Sequence, residues 1–367
     1  MRSLLQSPRA EGSAHGSADR SVPSFEVPGV FERCSTIWGE ATIHQSDPAV
    51  RSLRDVLYLP YSDGQIWGLY DEAGAPVKEA IDFREGVHLP PDQKLPDGPL
   101  HINLGHAITA PCIYVGRINL HYGHFLINTL PRFWALEQFR RPGMPILCHS
   151  AIPVDGLFSV PFLRSAFSLL NLSPSDFVLS DRPTGISEII VPSPSIEEQH
   201  AGYRAYSRMC RIMGEKAISS CHSEPSEKPV YFSKSKLTSA VGVIINEDEI
   251  ENEMKKNGID IVYPEALSFV EQVGLMACRK NIMGTAGSFL HTSIFAPHRR
   301  VTCLNVTREI NSNFTIIDSL ACNSAAYFYP PTLEIRENQD GFLTARYLPD
   351  AADVARNMID AMNLGSH

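Results

Sequence analysis

The chain has no Cys-x-x-Cys pair, and its eight cysteines, at 34, 112, 148, 210, 221, 278, 303 and 322, follow no regular spacing. The common zinc-site and disulfide-scaffold patterns are thereby excluded, and free thiols acting as small apolar side chains in a reducing cytoplasm are the simplest reading. No Asp-x-Asp pair is present to hold Mg²⁺ or Mn²⁺ against a phosphorylated substrate, so neither a metal nor another cofactor is expected. Long apolar runs are missing too. Nothing approaches the roughly 18 uninterrupted apolar residues of a membrane span, so any membrane contact is expected to be peripheral. Residues 1–24 hold only a Leu-Leu pair where a secretory signal needs about 7–15 apolar residues, and they read as a disordered leader. Positive charge is short: a formal net charge of -9 supplies no basic field for nucleic acid or an anionic lipid surface. Any phosphate must be gripped locally.

At 367 residues the chain exceeds the roughly 250–300 at which single cores stop growing, so two domains are expected. Hydrophobic residues at 43% and charged residues at 20% are ordinary for a globular enzyme-sized body. Residues 52–60 and 66–70 read as short strands between Asp, Gly and Pro turn signals. PCIYVGRI (111–118) is a buried-type strand, and 121–139 shows helical apolar spacing that Pro131 should kink or divide. MPILCHS (144–150) is the next strand, and strand, helix, strand at this spacing implies a parallel βαβ unit. Residues 215–228 lose periodicity and gain Ser, Pro and Glu, which marks a linker. The domains are therefore set at 25–222 and 223–330, with a C-terminal extension at 331–367 that ends in a helix.

The second half is the more legible. A strand opens 229–236. Asn246 and Glu249 suggest an Asx form of the capping box, starting a helix that Gly258 can end in a left-handed cap. Strand 259–264 follows, then a Ser268/Glu271 capping box for helix 269–279, strand 281–284, loop 284–288, helix 290–297 and strand 301–306. Such alternation is the doubly wound α/β pattern, in which ligands bind at the carboxyl ends of strands.

Several polar residues fall at such ends. In the loop Gly284-Thr285-Ala286-Gly287-Ser288 the glycines would let backbone approach a phosphate, and the next helix offers unpaired N–H groups. Glu265, after strand 259–264, could take two ribose hydroxyls; Ser233, Lys234 and Lys236 could serve a diphosphate. Each has a plainer reading as a tight turn, a solvated acid or solvated lysines. In the first half His121, His124, Asn128 and Arg132 are spaced i, i+3, i+7, i+11, which puts them on one face of a regular helix. Histidine is the natural base for a hydroxyl proton. The alternatives are satisfied, partly buried histidines or a metal held by His121 and His124, which lacks a third nearby ligand.

Taken together, YVGRINLHYGHFLINTLPRFWAL (114–136), VYFSKSK (230–236), INEDEIENEM (245–254) and VYPEALSFVEQVGLMACRKNIMGTAGSFLHTSIFAP (262–297) resemble glycosyltransferase family 61. That family includes bacterial capsular polysaccharide transferases, eukaryotic protein-linked N-acetylglucosamine transferases and plant xylosyltransferases. The resemblance implies a GT-B-like pair of Rossmann-type domains facing across a cleft, and inverting, mostly metal-independent transfer from a UDP-sugar to a glycan acceptor, for surface polysaccharide made at the inner face of the membrane. By position it puts Gly287, Ser288 and His291 against the donor diphosphate, Glu265 at the ribose and Lys234 on the phosphates. One departure stands out. The family usually carries Asp or Glu four residues after the histidine that matches His124, whereas this chain has Asn128, which cannot act as a base. The base is then His124, the favoured choice, or His121, or a carboxylate from elsewhere. Failing these, the chain is a non-catalytic sugar-nucleotide or glycan-binding protein on the same fold. A nicotinamide-dependent oxidoreductase is disfavoured because GTAGS lacks the full G-x-G-x-x-G fingerprint.

Overall fold

A computed structural model describes residues 30–88, 93, 106–221, 224–237, 242–338 and 344–364; the leader expected at 1–24 lies outside the described residues. Successive side chains of a strand point to opposite faces, so a parallel strand between two helix layers must be apolar throughout. Val230–Phe232 meets that demand. Val230 and Phe232 enter one buried cluster with Met276, Ile282 and Phe289, while Tyr231 enters another with Ile250, Met283 and Met358. This strand belongs to a six-stranded sheet in the order Glu32–Arg33, Ser324–Tyr329, Arg300–Leu304, Asn281–Thr285, Val230–Phe232, Asp260–Val262. All neighbours run parallel except the first pair. In chain order the parallel strands stand 2-1-3-4-5, so the winding reverses between Val230–Phe232 and Asn281–Thr285. Loops leaving two such strands part to opposite faces and open a crevice.

The other large sheet runs Phe177–Val178, Ile146–His149, Cys112–Arg117, Thr184–Pro192, Val50–Leu59, Gly68–Tyr70, with Ala107–Ile108 also beside Thr184–Pro192. Its first four strands are parallel, as the βαβ spacing implies, while Val50–Leu59 runs antiparallel to both its neighbours, Thr184–Pro192 and Gly68–Tyr70. Here the winding reverses between Cys112–Arg117 and Thr184–Pro192. The chain is thus α/β with several sheets. Its first strands reach across the molecule: Glu32–Arg33 and Thr36–Trp38 pair with Ser324–Tyr329 and Glu309–Asn311, while Thr42–His44 pairs with Ala201–Tyr203. The terminal helix Ala351–Leu364 is present and buries Val354, Ala355 and Met358 against Ile250 and Met254 of helix Glu247–Lys256.

Local departures from expectation have physical causes. The segment after Cys112–Arg117 is helical to Phe139 but changes pitch: an α turn at Tyr122–His124, a π stretch at Phe125–Thr129, a 3-10 stretch at Leu130–Ala135 and an α turn at Leu136–Phe139. Pro131 lies at the start of the 3-10 stretch, where its missing N–H is tolerated, so the expected division falls there. The segment read as a linker from 215 begins as helix, because Arg204–Ser220 buries Met209, Met213 and Ala217 on one face. Ser219 and Ser220, which looked like breakers, return their hydroxyls to the carbonyls of Glu215 and Lys216. Asn246 precedes helix Glu247–Lys256 without capping it; its amide pairs both ways with the Leu348 backbone, at 2.9 and 3.0 Å. Gly258 takes the left-handed conformation expected of it, and Ser268 with Glu271 forms the full capping box. The helix expected at 290–297 is a short α stretch, Phe289–Thr292, followed by a 3-10 turn. No helix of the described residues is long and apolar enough to cross a membrane.

Candidate active site at the meeting of two strand-end loops

His121 and His124 leave the carboxyl end of Cys112–Arg117, at the reversal of the first large sheet. Both are exposed, with ring centroids 5.1 Å apart. Gly123 between them packs so closely on the second half that a Cβ there would stand 2.6 Å from the Ser288 hydroxyl. Next door the Tyr122 hydroxyl bonds Thr292 Oγ1 at 2.7 Å. His291 is buried on that side; burial, then His124 and His121, push its imidazole down to about 3. Its Nδ1 has no partner among the described residues. His121 is also lowered, by burial and then by His124. The structure therefore brings together His121, His124, Ser288 and His291 from both halves of the chain.

Asn128 lies behind His124, one turn on, buried to 8% exposure. Its Oδ1 is 3.0 Å from His124 Nδ1, and its Nδ2 donates to Glu198 Oε2 at 3.0 Å. Glu198 comes from the turn after Ile196–Glu197, beyond the other strand of the same reversal, Thr184–Pro192, and its Oε1 pairs with Arg84 at 2.8 Å. Arg132 goes elsewhere. The π and 3-10 pitches break the i, i+11 relation, and its fully buried guanidinium donates to the carbonyls of Glu79, Ile81 and Pro192 and to Asp82 at 2.9 Å. It clamps the sheet to the 78–82 turn and has no hydrogen bond to the histidines.

At the reversal of the second sheet, Lys234 follows Val230–Phe232 and Gly287 follows Asn281–Thr285. Lys234 Nζ donates to the carbonyls of Gly242 at 2.6 Å and Ala286 at 3.1 Å, which leaves one of its three N–H groups. Burial pushes the Lys234 amine down, and Glu247 pulls it back. Glu247, fully buried, ties the two strand ends together by accepting from Tyr231 Oη at 2.8 Å, Thr285 Oγ1 at 2.7 Å and the Lys234 amide at 3.1 Å. The Ser233 hydroxyl is fully buried and donates to Glu251 Oε1 at 2.8 Å. Glu265 is exposed on the turn Pro264–Ala266, beyond the edge strand and beside Tyr263, whose ring Lys236 Nζ covers at 3.7 Å.

Three carboxylates that organise this region escaped the sequence reading: Glu198, Glu247 and Glu251. Glu198 carries the same signal as Glu265, an acid just beyond a strand's carboxyl end, whereas Glu247 and Glu251 look like ordinary first-turn and solvated helix acids. Two clefts elsewhere, of about 540 and 370 Å³, share no residue with the histidine group. No group of three or more His, Cys, Asp or Glu fit for a metal occurs among the described residues.

A cationic strand-end loop facing a histidine pair suits an α/β transferase. The family model described as Glycosyltransferase 61 matches residues 122–303, from just after His121 to the strand Arg300–Leu304, and supports membership of that family. Such a family implies a sugar donor and an acceptor as substrates. Among curated proteins none matches the chain.

Proposed function

We propose that the chain is an inverting, metal-independent glycosyltransferase that moves a hexosyl or pentosyl unit from a UDP-sugar to a glycan acceptor in surface or capsular polysaccharide synthesis, working in the cytoplasm at the inner face of the membrane. The two large sheets are read as Rossmann-type domains of a GT-B arrangement, divided near 222. The observation that carries this reading is the contact of the His121–His124 turn with Ser288 and His291, where loops from the strand ends of both sheets converge.

In this reading the acceptor hydroxyl gives its proton to His124 as its oxygen bonds the anomeric carbon. The bond from that carbon to the diphosphate oxygen breaks on the opposite face, its electron pair leaving with the nucleotide, and a single displacement inverts the centre. One base and charge stabilisation of the leaving group suffice. Lys234 meets the diphosphate with its remaining N–H, Gly287, Ser288 and His291 border it, and Glu265 takes the ribose.

A thermal-shift panel of UDP, GDP, CMP and NAD in EDTA, followed by assay of UDP release from UDP-sugars, tests it. UDP at about a hundredfold excess over its Kd should stabilise the protein by roughly 2.7 kcal/mol, and turnover should persist without divalent ions. Stabilisation without turnover on any acceptor would favour the non-catalytic binding protein; strict dependence on Mn²⁺ or stabilisation by NAD alone would overturn the reading.

A further inference from the structure

An ionised carboxylate only accepts hydrogen bonds, a guanidinium only donates, and a carboxamide does both at fixed ends. These rules determine every proton in the chain Arg84–Glu198–Asn128–His124. Arg84 donates to Glu198 Oε1 and Asn128 Nδ2 donates to Glu198 Oε2. With its amino group committed to the carboxylate, Asn128 can show His124 only its carbonyl oxygen, 3.0 Å from Nδ1. Nδ1 must then carry the hydrogen, and the lone pair of the neutral ring sits on Nε2. Which ring nitrogen is basic is thus decided at Glu198, two hydrogen bonds away.

Glu198 is held for this task. It is 6% exposed, and its backbone carbonyl accepts from the Glu85 amide at 3.0 Å. The next residue, Gln199, is buried in a left-handed conformation (φ 55°) that non-glycine residues adopt at a cost, and its amide is pinned to Asn313 Oδ1 at 2.7 Å. A strained turn fixed on both sides keeps the carboxylate in register with Asn128.

We propose that Glu198 is a positioning residue for the transfer reaction: acting through Asn128, it fixes His124 as the Nδ1–H tautomer, and so supplies from the Ile196–Tyr203 hairpin the carboxylate that position 128 lacks. This rests on His124 being the base of the proposed function.

Reversing donors and acceptors tests it. In Glu198→Gln, the Gln oxygen faces Arg84 and its amino group faces Asn128. The Asn128 amide must turn over, its amino group then meets His124 Nδ1, and the ring is driven to the Nε2–H form. In Asn128→Asp two carboxylates share one hydrogen-bond gap. In the double variant Glu198→Gln with Asn128→Asp, Arg84 donates to Gln, Gln to Asp, and His124 Nδ1 to Asp, so every link is satisfied again. Expected are a fall in kcat of at least tenfold in each single variant, unchanged affinity for UDP, and recovery to within about threefold of wild type in the double variant. Nitrogen-15 shifts of the His124 ring should show Nδ1–H in the wild type and double variant, and Nε2–H in Glu198→Gln. An unchanged tautomer in Glu198→Gln overturns the proposal, as does a loss of melting temperature and UDP affinity parallel to that of turnover. If His124→Ala retains full turnover the proposed base is wrong, yet the ring shifts still report whether Glu198 sets the tautomer.

Discussion

The space between Gly123 and Ser288 is closed: a Cβ on residue 123 would lie 2.6 Å from the Ser288 hydroxyl and 3.5 Å from Cε1 of His121. The turn that carries both histidines therefore rests on the loop that follows Asn281–Thr285. Gly123→Ala should push the two apart, destabilising by about 1–3 kcal/mol through overpacking. A displacement of about 1 Å at a reacting group can cost roughly a hundredfold in rate, so turnover should fall by more than stability alone explains. Urea melts and UDP release at a temperature where the variant stays folded separate the two effects. Full turnover in a folded Gly123→Ala variant would mean that the contact does not set the histidine geometry.

Gly287 presses on Lys234 in a gentler way, since its added Cβ would lie 3.3 Å from Lys234 Cδ, on a flexible side chain. Gly287→Ala should leave stability and UDP affinity within about threefold of wild type, whereas the branched Gly287→Val should lift Lys234 off the Gly242 and Ala286 carbonyls. UDP affinity should then drop about tenfold or more, the scale of one charge-assisted hydrogen bond, with far-UV spectra unchanged. Equal UDP affinity in the wild type and Gly287→Val would remove Lys234 from the donor site.

The second half of the chain was readable because its signals are local. Val230–Phe232 is apolar throughout, Asn281–Thr285 sends Ile282 and Met283 into the buried clusters on its two faces, and Ser268 with Glu271 writes a helix start in four letters. Where contacts span long distances in sequence the reading failed. Asn246 satisfied the local cap pattern but found Leu348, and the strands at Glu32–Arg33 and Thr36–Trp38 have partners nearly three hundred residues away. In the candidate site, the nearness of His121 and His124 to each other was legible from their spacing. Arg132 was misjudged because the i+11 argument assumes constant pitch, which the π stretch breaks, and Glu198 was missed because nothing near it in sequence announces Asn128.

Arg132 should behave as a fold residue. Arg132→Gln leaves Asp82 without its cation and takes guanidinium donors from the Glu79, Ile81 and Pro192 carbonyls, a change that should cost about 3–5 kcal/mol. Its UDP affinity, measured well below the lowered melting point, should match wild type. Selective loss of UDP binding or turnover in a protein of undiminished stability would instead return Arg132 to the site.

Acid sensitivity follows from His149. Its side chain is fully buried against Tyr58; Nε2 lies 2.8 Å from the Leu59 carbonyl, which can only accept, so Nε2 carries the hydrogen and Nδ1 accepts from the Tyr114 hydroxyl at 2.8 Å. Nothing is left to hold a second proton, and burial pushes the imidazole down to about 3. In the unfolded chain the same ring titrates near 6.5. Between those values the unfolded state binds a proton that the native state refuses, so stability is flat above about pH 7 and falls as pH drops from 6.5 toward 3. At pH 5 the penalty is roughly 2 kcal/mol for each such histidine, and His291 adds a second in the same direction. Urea unfolding at pH 8, 6.5, 5.8 and 5 is read as the difference between wild type and His149→Gln, because burial raises the Asp318 carboxyl to about 6 and its opposite contribution on acidification is common to both proteins. His149→Gln should be less stable than wild type at pH 8, because the ring packing is lost, but its deficit should shrink by about 2 kcal/mol by pH 5. A deficit constant across that range would show that His149 accepts its proton in the folded protein and that the acid loss arises elsewhere.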